Sequence, residues 1–226
     1  MKKKVLLAFS GGLDTSYCAM HLVKECGFEV VAATINTGGF DQTAANQLQE
    51  KALSLGVSDY KFIDQTAHFY EQGIKYLIFG NVLKNNTYPL SVSAERVFQA
   101  MALAYLAIEM KVDAIAHGST GAGNDQIRFD LIFQTMCPHI EIITPIRDLA
   151  LSREEEISYL QQHGVEGVWE KARYSINEGL WGTSIGGMET LTSNGVLPEE
   201  AFPNQLQEAD AEVVDLRFEK GEPVGL

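Results

Sequence analysis

The chain has 226 residues, of which 46% are hydrophobic and 21% charged, a composition typical of a soluble globular protein with one or two domains. Its formal net charge of -13 argues against broad binding to nucleic acid or to anionic membranes. The 3 cysteines have no C-x-x-C spacing, so neither a disulfide framework nor a zinc site is predicted. No apolar run is long enough for a signal peptide or a membrane span, and we expect a cytoplasmic protein.

The first predicted element is a buried strand over Val5 to Phe9, which stops at Ser10-Gly11-Gly12 before a helix that begins near Asp14. The glycines let backbone N–H groups converge on one anion, and the hydroxyl groups of Ser10, Thr15 and Ser16 add donors at the positive end of the helix dipole. This pattern predicts a phosphate-binding loop. The lysine of a Walker loop is absent, so ordinary P-loop chemistry is not expected. The alternative is a glycine-rich turn that binds nothing.

Strands and helices alternate through the next part of the chain. Further buried strands are predicted over Glu29 to Ile35, Tyr60 to Ile63, Asp113 to Ala116 and Ile140 to Ile143, with amphipathic helices between them. This order predicts an α/β fold with a doubly wound parallel sheet, which we place in a domain over residues 1–166. Ligands bind such sheets at the carboxyl ends of the strands. The segment Asn36-Thr37-Gly38-Gly39 lies at such an end, either as a wall for a nucleoside or as a plain connection.

A second glycine-rich stretch, His117 to Asp130, follows the fourth strand and leads into a helix. Its position predicts that it faces the same cleft as the first loop. Taken alone, Asp125 is better explained as a helix cap and Arg128 as a solvated helix charge than as ligand contacts.

The pattern changes after residue 166. Residues 167–197 are rich in glycine without a clear period, and residues 198–226 are acidic. We interpret residues 167–226 as a second region that is rich in loops. Alternation over Glu212 to Phe218 predicts a half-buried antiparallel strand whose partner strand is missing.

Three stretches together resemble the argininosuccinate synthase family: Ala8 to Ser16, His117 to Phe129 and Tyr174 to Ser184. The first, with Ser-Gly-Gly-x-Asp-Thr-Ser, is similar to the pyrophosphate-binding loop of the ATP pyrophosphatases. The three stand in the family's order and approximate spacing, and the resemblance runs from Lys4 to Val224. It implies an adenine nucleotide alpha hydrolase-like fold, followed by the start of a second, α+β synthetase domain over 167–226. Family members continue further and assemble as homo-oligomers, which we expect of the full-length protein.

The resemblance implies an AMP-forming carbon–nitrogen ligase of arginine biosynthesis. In this reaction ATP adenylates the ureido oxygen of citrulline and releases pyrophosphate, and the amine of aspartate then displaces AMP. Because no covalent enzyme intermediate is needed, catalysis would rest on positioning and charge stabilisation. The implied cofactors are ATP and Mg²⁺. Four features depart from the family pattern and leave open an N-acyl-citrulline in place of citrulline: Val92, Ala122, Asn177 and the loop Asn36 to Gly39.

The resemblance also implies roles for individual residues. Those that would hold the nucleotide are Ala8, Ser10, Gly11, Gly12, Asp14, Thr15, Ser16, Ile35 and Gly118. Asp14 would also bind Mg²⁺. Those that would bind aspartate are Arg96, Thr120, Asn124 and Asp125, and those on the citrulline side are Tyr88, Ser93, Arg128, Ser175 and Ser184. The residues implied to be catalytic are Asp14, Arg96 and Asp125: Arg96 would take a carboxylate of aspartate bidentately, and Asp125 would meet its amine.

Two other functions are open to a chain of this fold. One is a nucleotide-binding module without turnover of its own. The other is tRNA thiolation, which would need a reactive cysteine pair and a basic surface for RNA.

Overall fold

A computed structural model describes residues 2–121, 123–165, 167, 174–192, 194–207 and 210–226. Its main feature is a parallel sheet of five strands in the order β3-β2-β1-β4-β5. The strands are β1 (Lys4–Ala8), β2 (Glu29–Asn36), β3 (Asp59–Asp64), β4 (Ala114–Ala116) and β5 (Glu141–Ile143). All four pairings are parallel, so every connection is a crossover.

Helices supply these crossovers. They are α1 (Leu13–Lys24), α2 (Gln42–Ser54), α3 (Thr66–Phe69), α4 (Lys75–Phe79), α5 (Ser91–Met110), α6 (Asp125–Met136), α7 (Pro145–Asp148) and α8 (Arg153–Gln162), with a π-helical turn over Tyr70–Ile74. In the described part of the chain, no helix combines the length and apolar character needed to cross a membrane.

The central strand β1 is buried on both faces. Val5 and Leu7 pack in one apolar cluster with residues of α1, α2 and α8, whereas Leu6 packs on the other face with residues of α5 and α6. A strand covered on both faces must be apolar along its whole length, and β1 therefore reads as a continuous apolar run. The packing of helices on both faces of the parallel sheet confirms the predicted doubly wound α/β fold.

The strand order reverses between β1 and β4. From β1 the chain builds outward through β2 and β3, and it then returns to place β4 and β5 on the other side of β1. Open parallel sheets bind ligands at such a switch point, beyond the carboxyl ends of the strands. Both glycine-rich stretches lie here.

The remaining described segments form two small antiparallel pairs. Strand β6 (Ser175–Asn177) pairs with β7 (Ser184–Gly186), and β8 (Arg217–Glu219) pairs with β9 (Glu222–Gly225). Short 3₁₀ turns cover Met188–Leu191 and Glu199–Ala201.

The prediction of an unpartnered strand over Glu212 to Phe218 is wrong. Only Arg217–Glu219 is a strand, and β9 is its partner. Lys220 and Gly221 join them with φ values of 52° and 89°, the backbone of a tight hairpin turn. Alternation misled the prediction because the apolar residues before this strand face no core: Val213, Val214 and Leu216 are 91%, 56% and 61% exposed.

Candidate active site

The loop after β1 is organised by its own hydroxyl groups. The Ser16 hydroxyl donates to the carbonyl oxygen of Gly12 at 2.7 Å. The hydroxyl oxygens of Ser10 and Thr15 lie 3.2 Å apart, and the Gly12 N–H donates to Ser10 Oγ at 3.4 Å. These groups meet at the N-terminus of α1, where backbone N–H donors and the helix dipole favour an anion. Ala8 and Ile35 lie close by, near the carboxyl ends of β1 and β2.

A lysine reaches this loop from a different part of the chain. Lys51 on α2 donates from Nζ to the carbonyl oxygen of Gly11 at 2.5 Å, and burial lowers the pKa of Lys51. Gly11 has a φ of +74°, and a Cβ there would overlap Leu48 on the same helix. Sequence reasoning missed Lys51 because it lies 40 residues from Gly11 and belongs to no local motif.

Asp14 joins the loop after β1 to the loop after β4. A Cβ on Gly118 would lie 3.1 Å from Asp14 Cβ and 3.3 Å from the Thr15 nitrogen, so any larger residue would require these neighbours to move by a few tenths of an ångström. On its other side, Asp14 neighbours the carboxyl group of Glu156 on α8, which is 3% exposed. Burial raises the pKa of Asp14, and burial together with the charge of Asp14 raises the pKa of Glu156 to about 8. At neutral pH Glu156 is therefore protonated and donates to the Asp14 carboxylate.

His117 anchors the loop after β4 to the sheet. Its ring is 1% exposed, and its Nδ1 accepts from the Ser119 N–H at 3.3 Å. This leaves the Nε2–H to donate to Asp130 Oδ1 at 2.9 Å, while Asp130 Oδ2 accepts from Arg147 Nη1 at 2.8 Å. Burial lowers the pKa of His117, so the ring is neutral at neutral pH.

The buried His117 predicts a loss of stability in mild acid. Because its folded pKa lies below the unfolded value of 6.5, the unfolded chain binds more protons as the pH falls below 6.5. The contribution is present above this pH and is lost below it, by about 1.4 kcal/mol for each unit by which the pKa is lowered. Urea unfolding between about pH 7 and pH 5 compares the wild type with His117→Gln. As the pH falls, the wild type should lose more free energy of unfolding, or gain less, than His117→Gln, because Glu156, whose raised pKa gives a slope of opposite sign, contributes equally to both proteins. An equal slope in both proteins would contradict this assignment.

Arg96, Asp125 and Arg128 form an ion-paired cluster. Arg96 Nε donates to Asp125 Oδ2 at 3.0 Å, and Arg128 Nη1 donates to Asp125 Oδ1 at 2.6 Å. Arg128 Nη2 also donates to Ser93 Oγ at 2.9 Å, and the Ser93 N–H donates to the Tyr88 hydroxyl at 3.2 Å. Asp125 is the first residue of α6, where the helix dipole favours a carboxylate. The fold thus brings together five residues for which the sequence predicts substrate contacts.

Four other predicted substrate residues take no part in these hydrogen bonds. Arg96 Nη2 donates to Asn177 Oδ1, and Asn177 pairs with Ser184 across β6 and β7, so Ser184 lies near the cluster. Ser175 lies two positions earlier on β6. Thr120 and Asn124 are exposed on the loop before α6. The side chains of these four residues, Thr120, Asn124, Ser175 and Ser184, form no hydrogen bond with any residue that the structure describes.

The loop after β2 packs on the segment after β6. The Leu180 N–H donates to the carbonyl oxygen of Thr37 at 2.8 Å, and a Cβ on Gly38 would lie 2.6 Å from the Leu180 nitrogen. A Cβ on Gly39 would overlap the carbonyl oxygen of Glu178. The two segments therefore touch backbone to backbone, and glycine is needed on the β2 side.

The cysteines do not form a reactive pair. Cys18 and Cys137 are both 0% exposed, and burial raises the pKa of each thiol. Only Cys26 is exposed among the three. Because a thiolate is the reactive form, this arrangement does not favour tRNA thiolation.

An open parallel sheet with an anion-binding loop at its switch point defines an α/β nucleotide-binding domain. The family model described as arginosuccinate synthase N-terminal HUP domain matches residues 4–166. The chain belongs to the argininosuccinate synthase family.

Curated relatives agree with this result over the whole chain. It is 38% identical over 229 residues to the argininosuccinate synthase of Methanocaldococcus jannaschii, covering 100% of this chain and 58% of that protein. It is 35% identical over 224 residues to that of Sulfurisphaera tokodaii, covering 99% and 57%. It is 38% identical over 234 residues to that of Staphylococcus saprophyticus, covering 100% and 57%. The chain therefore spans a little more than half the length of these relatives.

Proposed function

We propose that this chain carries the ATP site and much of the substrate site of a ligase that joins citrulline, or an N-acyl-citrulline, to aspartate. ATP would be converted to AMP and pyrophosphate, as a step of arginine biosynthesis. The observation that carries this proposal is the approach of Gly118 to Asp14 and Thr15, which sets the phosphate loop against the loop that leads to Asp125. Membership of the argininosuccinate synthase family supports it.

In this proposal the two glycine-rich loops hold the nucleotide. The phosphates lie on Ser10 to Ser16, where hydroxyl and backbone donors meet the helix dipole. The adenosine lies against Ile35 and Gly118. Residues 1–166 form the nucleotide-binding domain, and residues 167–226 belong to a second, substrate-binding domain.

Mg²⁺ fits the chemistry of Asp14. This carboxylate lies in the first turn of α1, beside the phosphate loop. Hard oxygen ligands of this kind, together with phosphate oxygens, are what Mg²⁺ prefers. When bound, the cation would compensate the charge of the phosphates. Among the described residues no cluster of three or more metal-ligating side chains exists, so the phosphates and water would supply the remaining ligands.

The ion-paired cluster would bind the two amino acids. In the ligand-free chain Asp125 is balanced by Arg96 and Arg128. Aspartate carries both an ammonium and a carboxylate, so it can replace this internal pairing: its amine would meet Asp125, and a carboxylate would meet Arg96. The α-carboxylate of citrulline would meet Arg128. Catalysis then consists of holding the ureido oxygen near the α-phosphate and the amine near the activated carbon.

We further propose that the full-length protein is a cytoplasmic homo-oligomer that acts on small molecules and not on nucleic acid. The thiols of Cys18, Cys26 and Cys137 are free, which fits a reducing compartment. The net charge of -13 opposes binding to nucleic acid.

Removing the Asp14 carboxylate tests the nucleotide site. The variant Asp14→Ala should bind Mg·ATP about 10- to 100-fold more weakly in calorimetry, the range for hydrogen bonds to charged groups. The fold should remain intact, because the change also removes one of two neighbouring buried carboxyl groups. Asp59→Ala is the control, since Asp59 begins β3 at the opposite end of the sheet. Equal affinities in wild type and Asp14→Ala would remove Asp14 from the site.

A further inference from the structure

Glu95 is a carboxylate buried beside the ion-paired cluster. Only 2% of it is exposed, and its Oε1 accepts from the Thr37 hydroxyl at 3.2 Å. Burial raises the pKa of Glu95, while the neighbouring charge of Arg96 and the Thr37 hydroxyl lower it. Burying a carboxylate costs solvation free energy, and such groups persist where they are paired and hydrogen-bonded. The substrate contacts described above make no use of it.

A chain of three hydrogen bonds runs from Arg96 to Glu95. Arg96 Nη1 donates to Gln99 Oε1 at 2.8 Å, and Gln99 Nε2 donates to Thr37 Oγ1 at 3.0 Å. The Thr37 hydroxyl then donates to Glu95 Oε1. All three donors point the same way, from the guanidinium to the carboxylate, so each bond polarises the next and the opposite charges strengthen both ends.

This chain of hydrogen bonds holds the third nitrogen of the Arg96 guanidinium. Asp125 holds Nε and Asn177 accepts from Nη2, while the chain to Glu95 holds Nη1. A planar guanidinium with all three nitrogens engaged cannot rotate without breaking a charge-assisted bond. Its orientation is therefore set before any substrate arrives.

Glu95 also supports the segment after β6. A Cβ on Gly179 would overlap Glu95 Oε1, so this segment lies directly on the carboxylate. The Thr37 loop contacts the same segment through Leu180. One carboxylate thus touches the loop after β2 and the segment after β6 from its position on α5.

We propose that Glu95 is a positioning residue, which acts through Thr37 and Gln99 to hold the Arg96 guanidinium in the orientation that receives a substrate carboxylate. The kinetic consequence rests on the proposed function, because it takes Arg96 as the contact for aspartate. The effect on Arg96 itself does not depend on that assignment.

The first test follows the Nε–Hε NMR signal of Arg96 in the ligand-free chain. Glu95→Ala should shift and broaden this signal. Thr37→Val should do the same, because it breaks the chain of hydrogen bonds while residue 95 remains glutamate. Glu95→Gln, whose amide oxygen can still accept from Thr37, should restore the signal in part. Glu109→Ala, an exposed carboxylate change on the same helix, is the control and should leave it unchanged. An unmoved Arg96 signal in folded Glu95→Ala or in Thr37→Val would overturn the proposal.

The second test is kinetic. In Glu95→Ala the KM for aspartate should rise about 10- to 100-fold, the range for hydrogen bonds to charged groups, with little change in kcat or in the KM for ATP. An equal loss in all three parameters would indicate a merely structural role and overturn the proposal. If the Arg96 signal moves but the KM for aspartate does not, positioning is supported and the assignment of Arg96 to aspartate fails.

Discussion

Asp125→Ala is expected to weaken aspartate binding to the protein loaded with ATP and citrulline by about 30- to 1000-fold, or about 2 to 4 kcal/mol. The Asp125 carboxylate lies between two guanidinium groups, and the side chains of Arg96 and Arg128 are only 17% and 25% exposed. Without Asp125 these cations face each other with no carboxylate between them. The amine of aspartate would lose its partner at the same time.

Calorimetric titration of aspartate checks this expectation. The control is Asp215→Ala, which removes a carboxylate from an exposed position. Arg96→Ala should weaken aspartate to a similar extent, since it removes the other half of the same contact. Unchanged aspartate affinity in both Asp125→Ala and Arg96→Ala would contradict the placement of aspartate on this cluster.

Gly38→Ala is expected to lower the free energy of unfolding by about 2 to 4 kcal/mol, through backbone strain and overpacking combined. The φ of Gly38 is +106°, a conformation that disfavours any L side chain. In addition, the new Cβ would lie 2.6 Å from the nitrogen and 2.9 Å from the Cα of Leu180. These are backbone atoms and cannot rotate away, so the loop after β2 must separate from the segment after β6.

Gly27→Ala separates the two causes. Gly27 has a φ of +67°, but its Cβ would meet nothing within 4 Å. Gly27→Ala should therefore lower the free energy of unfolding only by the cost of backbone strain, about 1 to 2 kcal/mol. Urea unfolding of both variants gives the difference that belongs to the Leu180 contact together with the greater strain at a φ of +106°. Equal losses in Gly38→Ala and Gly27→Ala would show that this contact contributes nothing to stability.

Local patterns predicted the fold well, including the glycine-rich turn between β1 and α1. The apolar run of β1 and the glycines behind it are read from neighbouring residues. Phosphate binding by this turn stays a prediction. Such local patterns could not predict contacts between segments that are distant in the chain. Lys51 at Gly11 and Glu156 at Asp14 depend on how helices pack across the sheet, and nothing near either residue in the chain signals that packing.

The prediction of a strand over Glu212 to Phe218 was wrong for the same reason, because it relied on a local pattern alone. Alternation describes which side chains share a face, but a strand also needs a partner and a layer to cover it. In this segment Leu216 and Val213 face solvent, and strand pairing begins only at Arg217, the first residue of the hairpin. The joint position of Arg96 and Asp125, by contrast, was anticipated from the resemblance to a family, and not from the residues alone.

The central claim is that ATP activates a ureido oxygen in this site. The direct measurement uses citrulline and N-acyl-citrulline labelled with heavy oxygen in the ureido group, each incubated with the protein, Mg·ATP and aspartate. If the ureido oxygen is adenylated and aspartate then displaces AMP, the label must appear in the phosphate of AMP, with one pyrophosphate released for each AMP formed. Comparing the two acceptors identifies the preferred one. Unlabelled AMP, or cleavage of ATP to ADP and phosphate, would contradict the account.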